Sequence, residues 1–365
     1  MKSLKLYFVL FIPIILLTGC SKKSNPVAPV VTGKWTYCQD LPNYLPITGF
    51  AASGNNIVAG TFSVGASKAY IYIYISFDNG ATWSLDTTIS VDTKSKYTHL
   101  FSGAPVTFLN YGGYLFAGIG GAYRGAIFRS IDNGITWSDE GIIWPWSSDT
   151  TENIYRFAAI GGNIFAGTDR GVFISTDMGT NWKAANNGFT LSESGWPPQA
   201  IYMIAQGENL FVGGTTLGVF LSTNSGASWT AVNSGLPNGR YIDGLAAVES
   251  KIFAGIFNYG VYVTTDNGSN WNSVNNGLAS TRNGDTVYTV DGLASYGNYL
   301  FATTNSGLYV STNSGTVWNN ISAGTAIDST LIITIGVINS QLFVGGEVDG
   351  AWRYPVAALP ALIKK

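Results

Sequence analysis

Charge is scarce in this chain. Asp, Glu, Lys and Arg make up 11% of the 365 residues and the formal charge is −2, so no basic surface is available to hold a nucleic-acid backbone. There is a single histidine, His99, and there are two cysteines, Cys20 and Cys38. These are too few for a zinc or iron–sulfur centre built on those ligands. No phosphate-binding or dinucleotide-binding glycine motif occurs. No metal and no cofactor are expected. Arginine is absent before Arg124, which bears on one family resemblance below. Glycine (45) and aromatics (14%) are plentiful instead, the mixture of a turn-rich all-β protein and not of a disordered one.

The chain opens with Lys2 and Lys5 and a twelve-residue apolar run, "LYFVLFIPIILL" from Leu6 to Leu17. That run is too short to span a bilayer comfortably and reads as a signal-peptide core. It ends in "LTGC", Leu17 to Cys20, which resembles the lipobox of bacterial lipoproteins. In that family the cysteine becomes the mature N-terminus and carries acyl chains. An ordinary signal peptide and a short buried helix are the other readings of the stretch. The resemblance implies a leader over 1–19, a lipidated Cys20 with a flexible tether over 20–33, and a globular part over 34–365. It places the protein in the bacterial cell envelope, lipid-anchored at the outer membrane or cell surface. Cys38 is then a lone thiol and is expected as a small buried hydrophobe.

Two phrases repeat along the globular part. The first is "ISFDNGATWS" at Ile75 and returns as "RSIDNGITWS", "ISTDMGTNWK", "LSTNSGASWT", "VTTDNGSNWN" and "VSTNSGTVWN". The second is "IFAG" or a close variant, with seven copies starting at Ile57, Leu115, Ile164, Leu210, Ile252, Leu300 and Leu342. Their spacings of 58, 49, 46, 42, 48 and 42 residues, with four short strand patterns in each, are the signature of a β-propeller. In the copy around Leu245, "IDGLAAV", "IFAGIF", "VYVTTD" and "WNSVN" read as strands a to d. The expected fold is all-β: a single seven-bladed β-propeller of four-stranded antiparallel blades.

The first phrase, S/T-x-D/N-x-G-x-x-W, falls at the c–d turn. Its six copies comprise Ser76, Asp78, Gly80 and Trp83; Ser130, Asp132, Gly134 and Trp137; Ser175, Asp177, Gly179 and Trp182; Ser222, Asn224, Gly226 and Trp229; Thr264, Asp266, Gly268 and Trp271; and Ser311, Asn313, Gly315 and Trp318. Hydroxyl, carboxylate and amide side chains accept backbone hydrogen bonds in a turn, and glycine supplies a positive φ. The tryptophans bury a broad apolar face. Six boxes for seven blades leave one short. The chain's first strand, "GKWTYCQDL", starts with Trp35 and has no box before it, while the last copy supplies only three strands. The N-terminal strand is therefore expected to complete blade seven by pairing with Ala351 to Leu359, which covers both open edges.

The boxes resemble the Asp-box (BNR) repeat of sialidases, sortilin-type receptors, xyloglucan-hydrolysing enzymes and photosystem assembly factors. The resemblance covers most of the globular part and implies that the boxes are structural and lie opposite the ligand face. It does not extend to sialidase chemistry. That site needs an early Phe-Arg-Ile-Pro motif, and the first arginine here is Arg124.

Candidate functional residues come from the loops and the inner strands. Trp144, Trp146 and Trp196 lie in two neighbouring d–a loops beside Pro145, Pro197 and Pro198. They either stack on a sugar or peptide or pack a lid over the blades. Aligning strand a by the following phrase places Thr48, Val106, Tyr155, Ile201, Asp243, Asp291 and Ile333 at one level. Asp243 and Asp291 then sit on adjacent inner strands, either as an acid/base pair for glycoside hydrolysis or as solvated charge around a wet channel. Tyr155, Arg156 and Tyr202 are expected near the same level. The reading is a monomeric binding platform for an envelope protein or glycan, with a glycosidase and an assembly factor for an envelope complex as alternatives.

Overall fold

The "IFAG" phrase recurs because both of its faces are packed. Its aromatic residue, Phe116, Phe165, Phe211, Phe253, Phe301 or Phe343 in copies two to seven, is completely buried. The glycine two residues on admits the next sheet: a Cβ on Gly255 would lie 2.7 Å from Val290 of the following blade. The structure is a computed structural model that describes residues 33–64, 68–92, 106–120, 126–139, 153–192, 195–214, 218–238, 241–279 and 289–363.

The strands are β1 (Thr36–Tyr37), then β2 to β5 (Ile47–Ser53, Asn56–Val64, Lys68–Ser76, Ser84–Asp92) in blade one and β6 to β9 (Val106–Tyr111, Tyr114–Ile119, Ala126–Ser130, Ser138–Asp139) in blade two. Blade three holds β10 to β13 (Ile154–Ile160, Asn163–Thr168, Gly171–Ser175, Lys183–Ala184) and blade four β14 to β17 (Tyr202–Gln206, Asn209–Gly214, Gly218–Ser222, Thr230–Ala231). Blade five holds β18 to β21 (Ile242–Val248, Lys251–Ile256, Gly260–Thr264, Asn272–Ser273) and blade six β22 to β25 (Val290–Tyr296, Tyr299–Thr304, Gly307–Ser311, Asn319–Asn320). Blade seven takes β26 to β28 (Ile332–Ile338, Gln341–Gly346, Ala351–Pro355) and is completed by β1, in the order β1-β28-β27-β26. Every blade is a four-stranded antiparallel sheet. The first strands touch in sequence, β2 to β6 and so on to β26, and β26 returns to β2. Seven blades therefore close a ring around a channel, as expected.

The apolar core is divided among the seven junctions. Each buried cluster joins two neighbouring blades, for example Val58, Ile73, Val106 and Leu115 between blades one and two, and Phe211, Leu245, Ile252 and Trp271 between four and five. Trp35 takes the seventh tryptophan position at the junction of blades six and seven. It precedes β1 as Trp271 precedes β21, it is buried, and its ring lies 5.1 Å from that of Tyr354. Thr36 pairs with Arg353 and Tyr37 with Trp352, and the Cys38 N–H donates to Ala351 at 2.9 Å. Cys38 itself is fully buried, and burial pushes its thiol up to about 12, so it is inert packing.

The boxes build one turn six times. In the second, the Ser130 hydroxyl donates to Asp132 Oδ1 (2.8 Å) and accepts from the Gly134 N–H (2.8 Å), while Asp132 accepts from the N–H (2.7 Å) and the hydroxyl (2.6 Å) of Thr136. Both the residue before the glycine and the glycine take positive φ, 59° at Asn79 and 82° at Gly80 in the first box, so asparagine suits the former position. The a–b turns share this face: Asn56 Nδ2 of blade one donates to the Asn133 carbonyl in the box of blade two, at 3.1 Å. In blades four to six the tryptophan ring N–H donates to the carbonyl just past the outer strand of the preceding blade, Trp271 to Val232 at 2.8 Å for instance. Asp132→Ala removes donors' partners at a turn and is expected to cost about 1–2 kcal/mol, measured by urea unfolding, with no change in what the protein binds.

Three expectations are corrected in detail, and blade one departs from its neighbours. In blade one Ser84–Asp92 is a nine-residue strand, and β3 and β4 pair over eight positions where β7 and β8 pair over five. Blade one therefore stands taller than its neighbour on the side of its b–c loop. The outer strands of blades two to six have two residues each and begin after the tryptophan. The last strand stops at Pro355, whose ring removes the N–H a ladder needs, and Val356–Ala358 and Leu359–Ile363 turn into short helices. Finally, Val106 pairs directly with Ile119 without a bulge. It is the counterpart of buried Ile47, not of Thr48.

Candidate functional site

The inner strands bulge where they approach the d–a loops. The pairing of β18 with β19 goes from Ile242↔Ile256 to Gly244↔Gly255, leaving Asp243 unpaired, and β22 leaves Asp291 unpaired in the same way. Tyr155, Thr48 and Ile333 occupy the same bulge on β10, β2 and β26, and Ile201 precedes β14, its N–H donating to Gly213. A bulge adds one residue to one strand and re-aims its side chain. Two carboxylates are thereby brought to one level on adjacent strands at the channel mouth.

They sense each other. Burial, and then the Asp291 charge, push the Asp243 carboxyl up to about 7, and partial desolvation raises that of Asp291, although its side chain keeps an exposed surface. Tyr202 on β14 stands beside them. Burial raises its phenol to about 12, with Arg156 opposing and both carboxylates adding to the rise. The Arg156 guanidinium lies 5.5 Å from the centre of the Tyr202 ring and donates to the Tyr155 carbonyl at 3.1 Å. Arg156, Tyr202, Asp243 and Asp291 thus follow one another across four consecutive inner strands. The neutral form of Asp243 adds stability in full below the ordinary carboxylate value of 3.8, and this is lost as pH rises through about 7. Asp243→Asn, a neutral isostere, is expected to melt above the wild type at pH 8 and to lose that advantage by about pH 4. An unchanged difference across that range, followed by calorimetry, would contradict the raised carboxyl.

Tyr155 turns away from this group. Its hydroxyl donates to Asp169 Oδ1 (2.6 Å), which also accepts from Gln199 (2.8 Å), while Asp169 Oδ2 accepts the Asn153 N–H (2.7 Å). Asp169 so clamps the b–c turn of blade three to the loop carrying Trp196. Trp196 is 43% exposed, and the Arg170 guanidinium stacks 3.7 Å above its ring. Trp144 and Trp146 lie outside the described residues, as does Cys20.

Sequence reasoning missed the aromatic group over blade five. Tyr241, Phe257 and Tyr259 are all exposed, and Tyr241 and Phe257 meet edge to face with centroids 6.4 Å apart. Tyr241 is two residues before Asp243. The one signal was the turn "FNYG", Phe257 to Gly260, aromatic where the equivalent turn of blade three reads "DRG". At the opposite end of the channel a cavity of about 420 Å³ is lined by Ala159, Ala205, Ala247 and Ser295 among others, with no titratable side chain. Among the described residues no three His, Cys, Asp or Glu side chains come together as metal ligands would, and no helix is long and apolar enough to cross a membrane.

Ring, boxes and channel define a seven-bladed β-propeller with Asp-box turns, and comparison with known proteins agrees. The family model for the BNR/Asp-box repeat matches residues 74–85. No curated protein matches the sequence. Among solved structures, YCF48 bound to D1 peptide is similar over 88% of this chain and 96% of its own, with 15% identity and a TM-score of 0.62. YCF48 from Cyanidioschyzon merolae is similar over 88% and 98%, with 14% identity and a TM-score of 0.60. The extracellular domain of a one-component system from B. thetaiotaomicron aligns over 88% of this chain but only 40% of that one, with 14% identity and a TM-score of 0.59. At such identities the likeness is one of fold.

Proposed function

We propose that this protein is a rigid recognition platform of the cell envelope, held to a membrane by acylated Cys20 and binding a partner protein on the face that carries the b–c and d–a loops. The observation that supports this reading best is the exposed aromatic set on that face, Trp196, Tyr241, Phe257 and Tyr259. Aromatic side chains of this kind supply most of the energy of protein interfaces. The similar fold of YCF48 bound to D1 peptide, and that found within the extracellular domain of a one-component system, support the reading. An assembly factor for an envelope complex is a special case of this platform. The glycosidase alternative has one observation in its favour, the Asp243 carboxyl raised to about 7 beside a second carboxylate.

One set of variants separates the two. The full chain and its Trp196→Ala/Tyr241→Ala/Tyr259→Ala, Phe77→Ser/Ile131→Thr, Asp243→Asn and Asp291→Asn variants are assayed for retention of solubilised envelope components and for hydrolysis of envelope glycans. The aromatic triple change is expected to abolish retention. The Phe77/Ile131 change, on the box face, is expected to leave it intact. No hydrolysis is expected. Turnover by the wild type that either Asp change removes would establish the enzyme instead.

A further inference from the structure

Five carboxylates of the described fold are saturated. Asp78, Asp132, Asp177 and Asp266 each accept three or more hydrogen bonds inside their own box, and Asp169 accepts three across its loop clamp. Asp243 and Asp291 differ. Among the described residues neither accepts a hydrogen bond nor pairs with a cation, although each stands beside the other. The nearby Arg156 is engaged elsewhere, over the Tyr202 ring and bound to the Tyr155 carbonyl. Two like charges at one level cost free energy in the folded state, and nothing in the packing requires them, since the same bulge holds Thr48 and Ile333 in other blades.

We infer that the channel mouth docks a basic side chain, Lys or Arg, of an apolar segment of the partner protein, the charged end held between Asp243 and Asp291 and the aliphatic stem laid against the aromatic rim. This rests on the platform reading and names the chemistry its partner must carry. Charge complementarity selects the occupant. A cation offsets the repulsion between the carboxylates, and the exposed Tyr241–Phe257 pair, Tyr241 lying two residues before Asp243 in the chain, offers ring surface to a methylene chain and to its charge. The Tyr202 ring extends this surface toward blade four. The flanking residues of the segment meet Tyr259 and Trp196, which favours apolar neighbours. A neutral glycan would leave both carboxylates as they are, so a protein segment is the better match.

The test uses the full chain in detergent and matched sets of capped hexapeptides that differ only in a central Lys, Arg, norleucine or Glu between Leu and Tyr residues. Lys and Arg peptides are expected to bind at least about tenfold more tightly than the norleucine peptide, and the Glu peptide more weakly than either. Asp243→Asn/Asp291→Asn is expected to bring the Lys and norleucine affinities within about twofold of each other while leaving norleucine binding as it was, with a melting temperature no lower than that of the wild type. Equal affinity for Lys and norleucine in the wild type, or a Lys preference that survives the double change, overturns the inference. So does binding of glucosamine oligosaccharides through the two carboxylates without binding of any peptide. If norleucine peptides still depend on Trp196 and Tyr241, the platform stands and only the cation falls. If no peptide binds at millimolar concentration and the aromatic changes leave envelope retention intact, both fall.

Discussion

Deletion of Lys34–Leu41 is expected to lower the melting temperature by at least about 10 °C and to turn a monodisperse protein into an aggregating one. The segment contributes β1, the outer strand of blade seven. Without it β28 exposes a row of unpaired backbone groups, the template that edge-to-edge association needs. The packing loss is larger still. Trp35 is buried against Tyr354, Cys38 and Leu41 are buried, and Tyr37 packs edge to face on Trp352 with centroids 5.0 Å apart. Removing one buried aromatic costs about 3–5 kcal/mol, and here several apolar contacts go together. Blades six and seven also lose one of the buried residues that join them, which loosens the ring at that junction. Light scattering and calorimetry measure both effects. A monomeric deletion variant with the wild-type melting temperature would show that the ring closes by some other means.

Cys20→Ala is expected to move the protein completely out of the lipid-anchored pool. The expectation comes from "LTGC" alone, and its size comes from acyl chains whose buried CH₂ groups are worth about 0.8 kcal/mol each. Labelled palmitate should enter the wild type and not the variant, and the variant should remain an uncleaved precursor or appear without membrane attachment. Label at wild-type levels in the variant would remove the anchor from the account. The propeller itself should be unaffected, because the strands of its seven blades run from Thr36 to Pro355.

Legibility in the sequence followed repetition. Seven copies of one phrase and six of another carry the blade count, the strand order and the c–d turns, because each copy meets the same neighbours around the ring. Trp35 was legible for the same reason, as a box tryptophan without its box. What does not repeat was hidden. Ser84–Asp92 has the polar composition of a loop, and only its partner β4 makes it a strand. The shift at Val106 could not be seen, since a bulge changes the backbone register without changing residue types. The loop face was read in part. Asp243 and Asp291 came out of the alignment of inner strands, whereas Tyr241, Phe257 and Tyr259 have the residue types of core positions, and only their exposure sets them apart. Asp169 and Gln199, which hold the Trp196 loop, meet from positions thirty residues apart and carry no local signal.

The central claim is that partners are met on the loop face and not on the box face. A photo-crosslinking amino acid placed at Tyr259 or at Phe77, both exposed, tests it in cells producing the full chain. The account predicts a discrete crosslinked adduct from position 259, lost when Trp196 and Tyr241 are changed to Ala, and only background from position 77. An adduct from position 77 that persists in the Trp196/Tyr241 variant, with none from 259, would place the binding surface on the boxes and contradict it.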